Sequence, residues 1–130
     1  MQYKIILVMG ALALGSCQKK DSTTPDASKV VFTITSPTIG HTYQNGDSVR
    51  IKASISYPSE LHGYEVKVTD VATNTIVYDA AEHGHSDRFD IDKAWVINGA
   101  AEMELKLELM ATIDHAGTVA EKSINFQYLP

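Results

Sequence analysis

From residue 30 onward, apolar and polar side chains alternate with a period of two in one short run after another. That period sends successive side chains to opposite faces of a pleated backbone, so each run predicts a strand with one buried and one wet face. Val30-Val31-Phe32-Thr33-Ile34-Thr35 is the first and stops at Ser36-Pro37. After a turn at Asn45-Gly46-Asp47, Val49, Ile51, Ala53, Ile55 and Tyr57 share one face, and Arg50, Lys52, Ser54 and Ser56 share the other. This is the pattern of a half-buried antiparallel strand, and Pro58-Ser59-Glu60 closes it. Tyr64, Val66 and Val68 alternate with Glu65, Lys67 and Thr69, and Thr73-Asn74 turns the chain into Thr75-Ile76-Val77-Tyr78-Asp79. Arg88-Phe89-Asp90-Ile91-Asp92 directs Phe89 and Ile91 inward. The cleanest alternation is Met103, Leu105, Leu107, Leu109, Ala111 and Ile113 against Glu104, Lys106, Glu108 and Thr112. Ala, Glu, Met, Leu and Lys favour helix, but strict alternation over this length outweighs propensity. Asp114-His115-Ala116-Gly117 makes a hairpin turn, and Ser123-Ile124-Asn125-Phe126-Gln127-Tyr128 closes the set.

Seven strands at this spacing predict a β-sandwich. Ser36-Pro37 followed by Gly46-Asp47-Ser48-Val49 resembles the start of bacterial immunoglobulin-like and fibronectin-type domains. The resemblance implies an all-β, seven-stranded antiparallel sandwich over residues 29–130. The inter-sheet disulfide of antibody domains has no counterpart, which points to the fibronectin-like branch. Trp95 shares the parity of Phe89 and Ile91 and is expected to pack on the core.

The first seventeen residues follow a different logic. Lys4 precedes an apolar run, Ile5 to Leu14, of about ten residues, half of what a membrane-spanning helix requires. The run ends in Leu14-Gly15-Ser16-Cys17, which resembles the lipobox of bacterial lipoproteins. That resemblance implies a signal peptide over 1–16 and acyl chains on Cys17, the only cysteine in the chain. Several acyl chains give a stable membrane hold without a spanning helix, and a lipidated Cys17 leaves no thiol for a disulfide, a thiolate ligand or a nucleophile. Residues 17–28, rich in Lys, Asp, Ser and Thr with Pro25, read as a flexible tether. A charged stretch directly after the cysteine resembles the tethers of Bacteroidota-type lipoproteins. Gln18, standing where inner-membrane lipoproteins often carry Asp, favours the outer membrane, with a periplasmic or a surface-exposed domain.

Sixteen acidic residues against eleven basic ones make the chain mildly acidic. With no basic patch interleaved by aromatics, nucleic acid is not an expected partner.

Candidate chemistry resides in the histidines. His62 opens the third strand, His83 and His85 flank Gly84 in the fourth-to-fifth connection, and His115 lies in the last hairpin turn. Successive strands of such a sandwich run up and down, so the second-to-third, fourth-to-fifth and sixth-to-seventh connections share one end. The third and sixth strands are neighbours in the fibronectin-like order, which sets His62 beside His115; opposed side chains on paired strands have Cβ atoms about 5 Å apart. His41, in the first-to-second connection, belongs to the opposite end. An all-imidazole set suits Zn²⁺, Cu²⁺ or Ni²⁺ and disfavours Ca²⁺ and Mg²⁺, which prefer oxygen. Asp114, Asp87 and Glu82 are the expected outer partners fixing the imidazole tautomers. Leu61-His62-Gly63-Tyr64, His83-Gly84-His85 and Ile113-Asp114-His115 also resemble a pattern in small Bacteroidota lipoproteins, a resemblance that implies no activity.

Two functions follow from this reading. One is a membrane-tethered module holding Zn or Cu through His62, His83, His85 and His115. The alternative is an adhesion or scaffold module that binds an envelope protein or a glycan and needs no cofactor. An enzyme is not expected. Ser86, His85 and Asp87 are sequence neighbours, which rarely form a triad. Glu60 or Glu82 could serve as a base at a hydrolytic metal, yet so small a sandwich implies no substrate cleft.

Overall fold

The computed structural model describes residues 24–130. The expected signal segment, Cys17 and the first part of the tether lie outside them. The described chain is nearly all strand: β1 (Val31–Ser36), β2 (Thr42–Gln44), β3 (Ser48–Asp70), β4 (Thr75–Val96), β5 (Met103–Thr112) and β6 (Val119–Leu129), preceded by a single 3-10 turn, Ala27–Lys29. Among the described residues no helix is long and apolar enough to cross a membrane. The 3-10 turn, partly within the segment expected to be tether, docks on the domain: Asp26 caps it by accepting from Ser28 N at 3.0 Å, and Asp26 N donates to the Tyr57 hydroxyl at 3.1 Å.

Six strands replace the expected seven, and their arrangement is mixed rather than purely antiparallel. The stretches read as second and third strands run on as β3, and the fourth and fifth run on as β4. These two long strands pair antiparallel from Ser48↔Val96 to Asp70↔Thr75, turning back at Asn74, which takes a left-handed φ of 56°. The first half of β3 also pairs with β1, and its second half with β5. β5 then pairs with β6, and β2 adds in parallel to β6 through Thr42↔Gln127, Tyr43↔Tyr128 and Gln44↔Leu129. One continuous ribbon therefore folds back on itself into two layers. The first half of β3 carries β1 and the end of β4, while its second half carries the start of β4, β5, β6 and β2.

A single core lies between the layers. Val49, Ile51, Ala53 and Ile55 enter it from one half of β3, and Tyr64, Val66 and Val68 from the other; Leu105, Leu107, Leu109, Ala111, Phe126 and Tyr128 complete it. Each large side chain fully removed from water contributes roughly 1.5–3 kcal/mol, which explains why helix-favouring residues such as Leu105, Glu108 and Met110 remain in a strand. Trp95 is half-buried and packs on the core edge, stacked on Tyr78 with ring centroids 4.5 Å apart and planes 14° from parallel.

Candidate metal centre

The corner where β3 and β4 pass from one layer to the other is built from two β-bulges. Ser56 faces Arg88 and Leu61 faces Ser86, so five residues of advance along β3 match two along β4. Four residues, Tyr57-Pro58-Ser59-Glu60, thus stand opposite Asp87 alone, and the surplus of three swells out of β3. Immediately afterwards the imbalance reverses, with Leu61 to Gly63 matched by Ser86 to His83. Bulges bend a strand and re-aim its side chains, and these two bring Glu60, His62 and His85 to the corner. Gly63 makes the tight passage possible. Its φ is +138°, and a Cβ there would lie 2.5 Å from the Glu82 carbonyl oxygen. Gly63 pairs with His83 of β4 on one side and Thr112 of β5 on the other, so His62 stands between the two neighbouring strands.

His115 arrives from the β5–β6 turn. Asp114 shapes that turn, its Oδ1 accepting from Thr118 N at 2.8 Å, while Ile113 N donates to Thr118 O at 2.9 Å. The result is a convergence of three rings. The His62 centroid lies 4.2 Å from that of His115 and 4.6 Å from that of His85. One nitrogen from each of His62, His85 and His115 falls within 4.8 Å of the others. His62 is the inner member, its side chain 11% exposed, whereas His85 and His115 are exposed.

Burial of the His62 ring, followed by the neighbouring His115 and His85, lowers its pKa from the usual 6.5; Glu60 and Asp114 oppose this. Among the described residues, His62 Nδ1 is the one buried side-chain polar atom without a hydrogen-bond partner. A second ring proton would therefore have nothing to donate to on that side. Burial and the neighbouring rings thus favour the neutral form of His62, the form in which an imidazole ligates a metal.

The remaining expected residues are distributed differently. His83 stands next to the three rings, its centroid 5.4 Å from that of His85, but outside the converging set. The β4 bulge between His83 and Ser86 breaks the period-two relation that would have put His83 and His85 on one face. Glu82 accepts the Tyr64 hydroxyl at 2.9 Å, with no imidazole bound to it. Burial, reinforced by Glu82, pushes the Tyr64 hydroxyl up to about 12. Asp114 is occupied by its own turn, which holds its carboxyl below the usual range through Thr118. Asp87 is exposed, and its charge bears on Arg88. His41 lies apart, its ring against Tyr43 at 4.4 Å.

The carboxylate that reaches the site is Glu60. Its Oε1 lies 2.9 Å from His85 Nδ1 and 3.8 Å from His62 Nε2. The hydrogen bond from His85, then the facing imidazoles, holds Glu60 below the usual carboxylate range. A spacing signal for it was present, since residues two apart in a strand share a face, which associates Glu60 with His62.

No known protein family matches the chain, and no curated protein matches it. A solved structure similar to it is that of Clostridium thermocellum CbhA fibronectin(III)-like modules, with 18% identity over 75% of this chain and 94% of that one, at a TM-score of 0.45. The two-layer β arrangement described here stands on strand order and the shared core.

Proposed function

We propose that this domain binds a divalent transition metal, Zn²⁺ or Cu²⁺, through His62, His85 and His115, with His83 beside the centre rather than in it. The observation that carries this reading is the approach of three imidazole nitrogens to within 4.8 Å from three separate parts of the fold. Bound zinc holds nitrogen at about 2.0–2.1 Å, so small rotations of three side chains, two of them exposed, are enough to close the set. Neutral His62 supports it, as does a donor set with no soft sulfur and no all-oxygen cage. The domain acts as a holder of the ion rather than as a catalyst.

The lipobox-like Leu14-Gly15-Ser16-Cys17 supports a lipid-anchored chain, with the metal domain carried at an envelope membrane. Intact-mass measurement of the mature protein tests this part: acylation at Cys17 is expected, and an unmodified chain retaining residues 1–16 refutes it.

For the metal, the test is Zn²⁺ and Cu²⁺ titration of the protein and of His62→Ala/His115→Ala, followed by calorimetry. One ion per chain is expected, lost in the double variant and retained in His83→Ala. Titrations with neither heat nor a change in melting temperature overturn the reading, and full binding by the double variant moves the site elsewhere.

A further inference from the structure

Glu60 is the last residue of the β3 bulge, the feature that separates this corner from a regular strand pair. Without the three surplus residues between Ser56 and Leu61, the carboxylate would have no reason to face β4. With them, Oε1 meets His85 Nδ1 at 2.9 Å, the length of a charge-assisted hydrogen bond. An ionised carboxylate only accepts, so the hydrogen in this contact belongs to the imidazole. A neutral His85 that donates from Nδ1 carries its free lone pair on Nε2. Glu60 thereby selects one of the two tautomers, and the tautomer decides which ring atom can ligate.

Other acidic groups near the centre have separate tasks. Glu82 holds the Tyr64 hydroxyl, and Asp114 holds the backbone of the β5–β6 turn. Glu60 also stands 3.8 Å from His62 Nε2, so its negative charge lies against two of the three rings. Three neutral imidazoles bring no charge to a divalent cation, and Glu60 supplies a counter-charge in contact with two of them.

We propose that Glu60 is the positioning residue of the centre: it fixes His85 as the Nδ1–H tautomer and presents Nε2 to the metal. This rests on the reading of His62, His85 and His115 as ligands, but the tautomer can be observed without any metal. Outer carboxylate partners of metal-bound histidines typically account for 10–100-fold in affinity.

The experiment uses the full chain, metal-free, near pH 8, where neutral imidazoles predominate. Long-range proton–nitrogen NMR of the imidazoles distinguishes the two tautomers of His85. Zn²⁺ affinity is then measured on the same protein and on Glu60→Ala and Glu60→Gln. Glu60 is exposed, so neither change should disturb folding, and an unaltered metal-free melting temperature verifies this. The expected result is an Nδ1–H His85 in the native protein, lost in Glu60→Ala together with about 10–100-fold in Zn²⁺ affinity. Glu60→Gln, which keeps an acceptor oxygen but no charge, should restore the tautomer and recover part of the affinity. An Nε2–H His85 in the native protein overturns the inference, as does Glu60→Ala binding Zn²⁺ with native affinity. A native protein that shows the Nδ1–H signature but takes up no metal instead overturns the ligand reading, and the role of Glu60 at a metal falls with it.

Discussion

At His62, burial and crowding by like groups act in the same direction, and the consequence is a pH dependence of stability. In the unfolded chain this imidazole titrates near 6.5, whereas in the folded domain its pKa is lower. Between the two values the unfolded state binds more protons, so stability rises with pH. The full contribution is present above about pH 6.5 and is lost as pH falls through the lowered folded value. Glu60, with its own depressed carboxyl, gives a loss of the same sign only in the acidic carboxylate range. Urea midpoints of the metal-free protein at pH 7.5 and 5.5 should therefore drop toward the lower pH, and His62→Gln should flatten that slope. Gly63 supports a second residue-scale prediction. A Cβ 2.5 Å from the Glu82 carbonyl at a φ of +138° forces the corner apart, so Gly63→Ala should cost about 1–3 kcal/mol, read as a lowered denaturation midpoint, with metal uptake lost alongside.

Among the elements, β5 was the most legible. Leu105, Leu107, Leu109 and Ala111 alternate on paper and are fully buried in the fold. Leu107→Ala should accordingly cost about 2–5 kcal/mol in equilibrium unfolding, whereas the half-exposed Thr112 on the other side of the strand end tolerates substitution. The strand ends at the corner were misread for a physical reason. Pro58-Ser59 and Gly84 are strong punctuation in a sequence, but the same residues mark bulges inside a strand that continues. Whether the chain stops or swells is decided by pairing partners far away in sequence, such as Ser86 for Leu61. β2 escaped notice because three residues are too few to display a period. The histidines were legible as a group since topology alone brings their connections to one end. The two-residue spacing of Glu60 from His62 was a partial signal for the carboxylate that joins them, but its contact with His85 depends on the bulge. The cross-strand Tyr64 that takes up Glu82 was equally out of reach of the sequence.

For the molecule as a whole, the proposed ligands come from β3, β4 and the β5–β6 turn, so an ion would add a cross-link between the turn and the corner of the long β3–β4 pair. An ion that binds the folded chain alone stabilises it by mass action, by about 2.7 kcal/mol at a concentration one hundred times Kd. For a domain near this size that corresponds to a rise in Tm on the order of 10 °C, expected for the native protein in differential scanning calorimetry with Zn²⁺ at pH 7.5. The same scan at pH 5.5 should show a smaller rise, since imidazoles must shed a proton to ligate. His62→Ala/His115→Ala should show none at either pH.

The parallel pairing of β2 with β6 has a mechanical meaning. The amino end of β1 lies opposite Ser56 beside the corner, and the carboxyl end of β6 lies opposite Met103 at the far pole. A pull on the two ends therefore drags β1 along β3 and β6 along β2 and β5, lengthwise. Links such as Gly40 N to Asn125 O at 2.9 Å and Gln127 N to His41 O at 2.7 Å would share that load instead of parting one after another. Stretched end to end in an optical trap, the domain should hold its length and then give way in one abrupt rupture, with no gradual peeling beforehand.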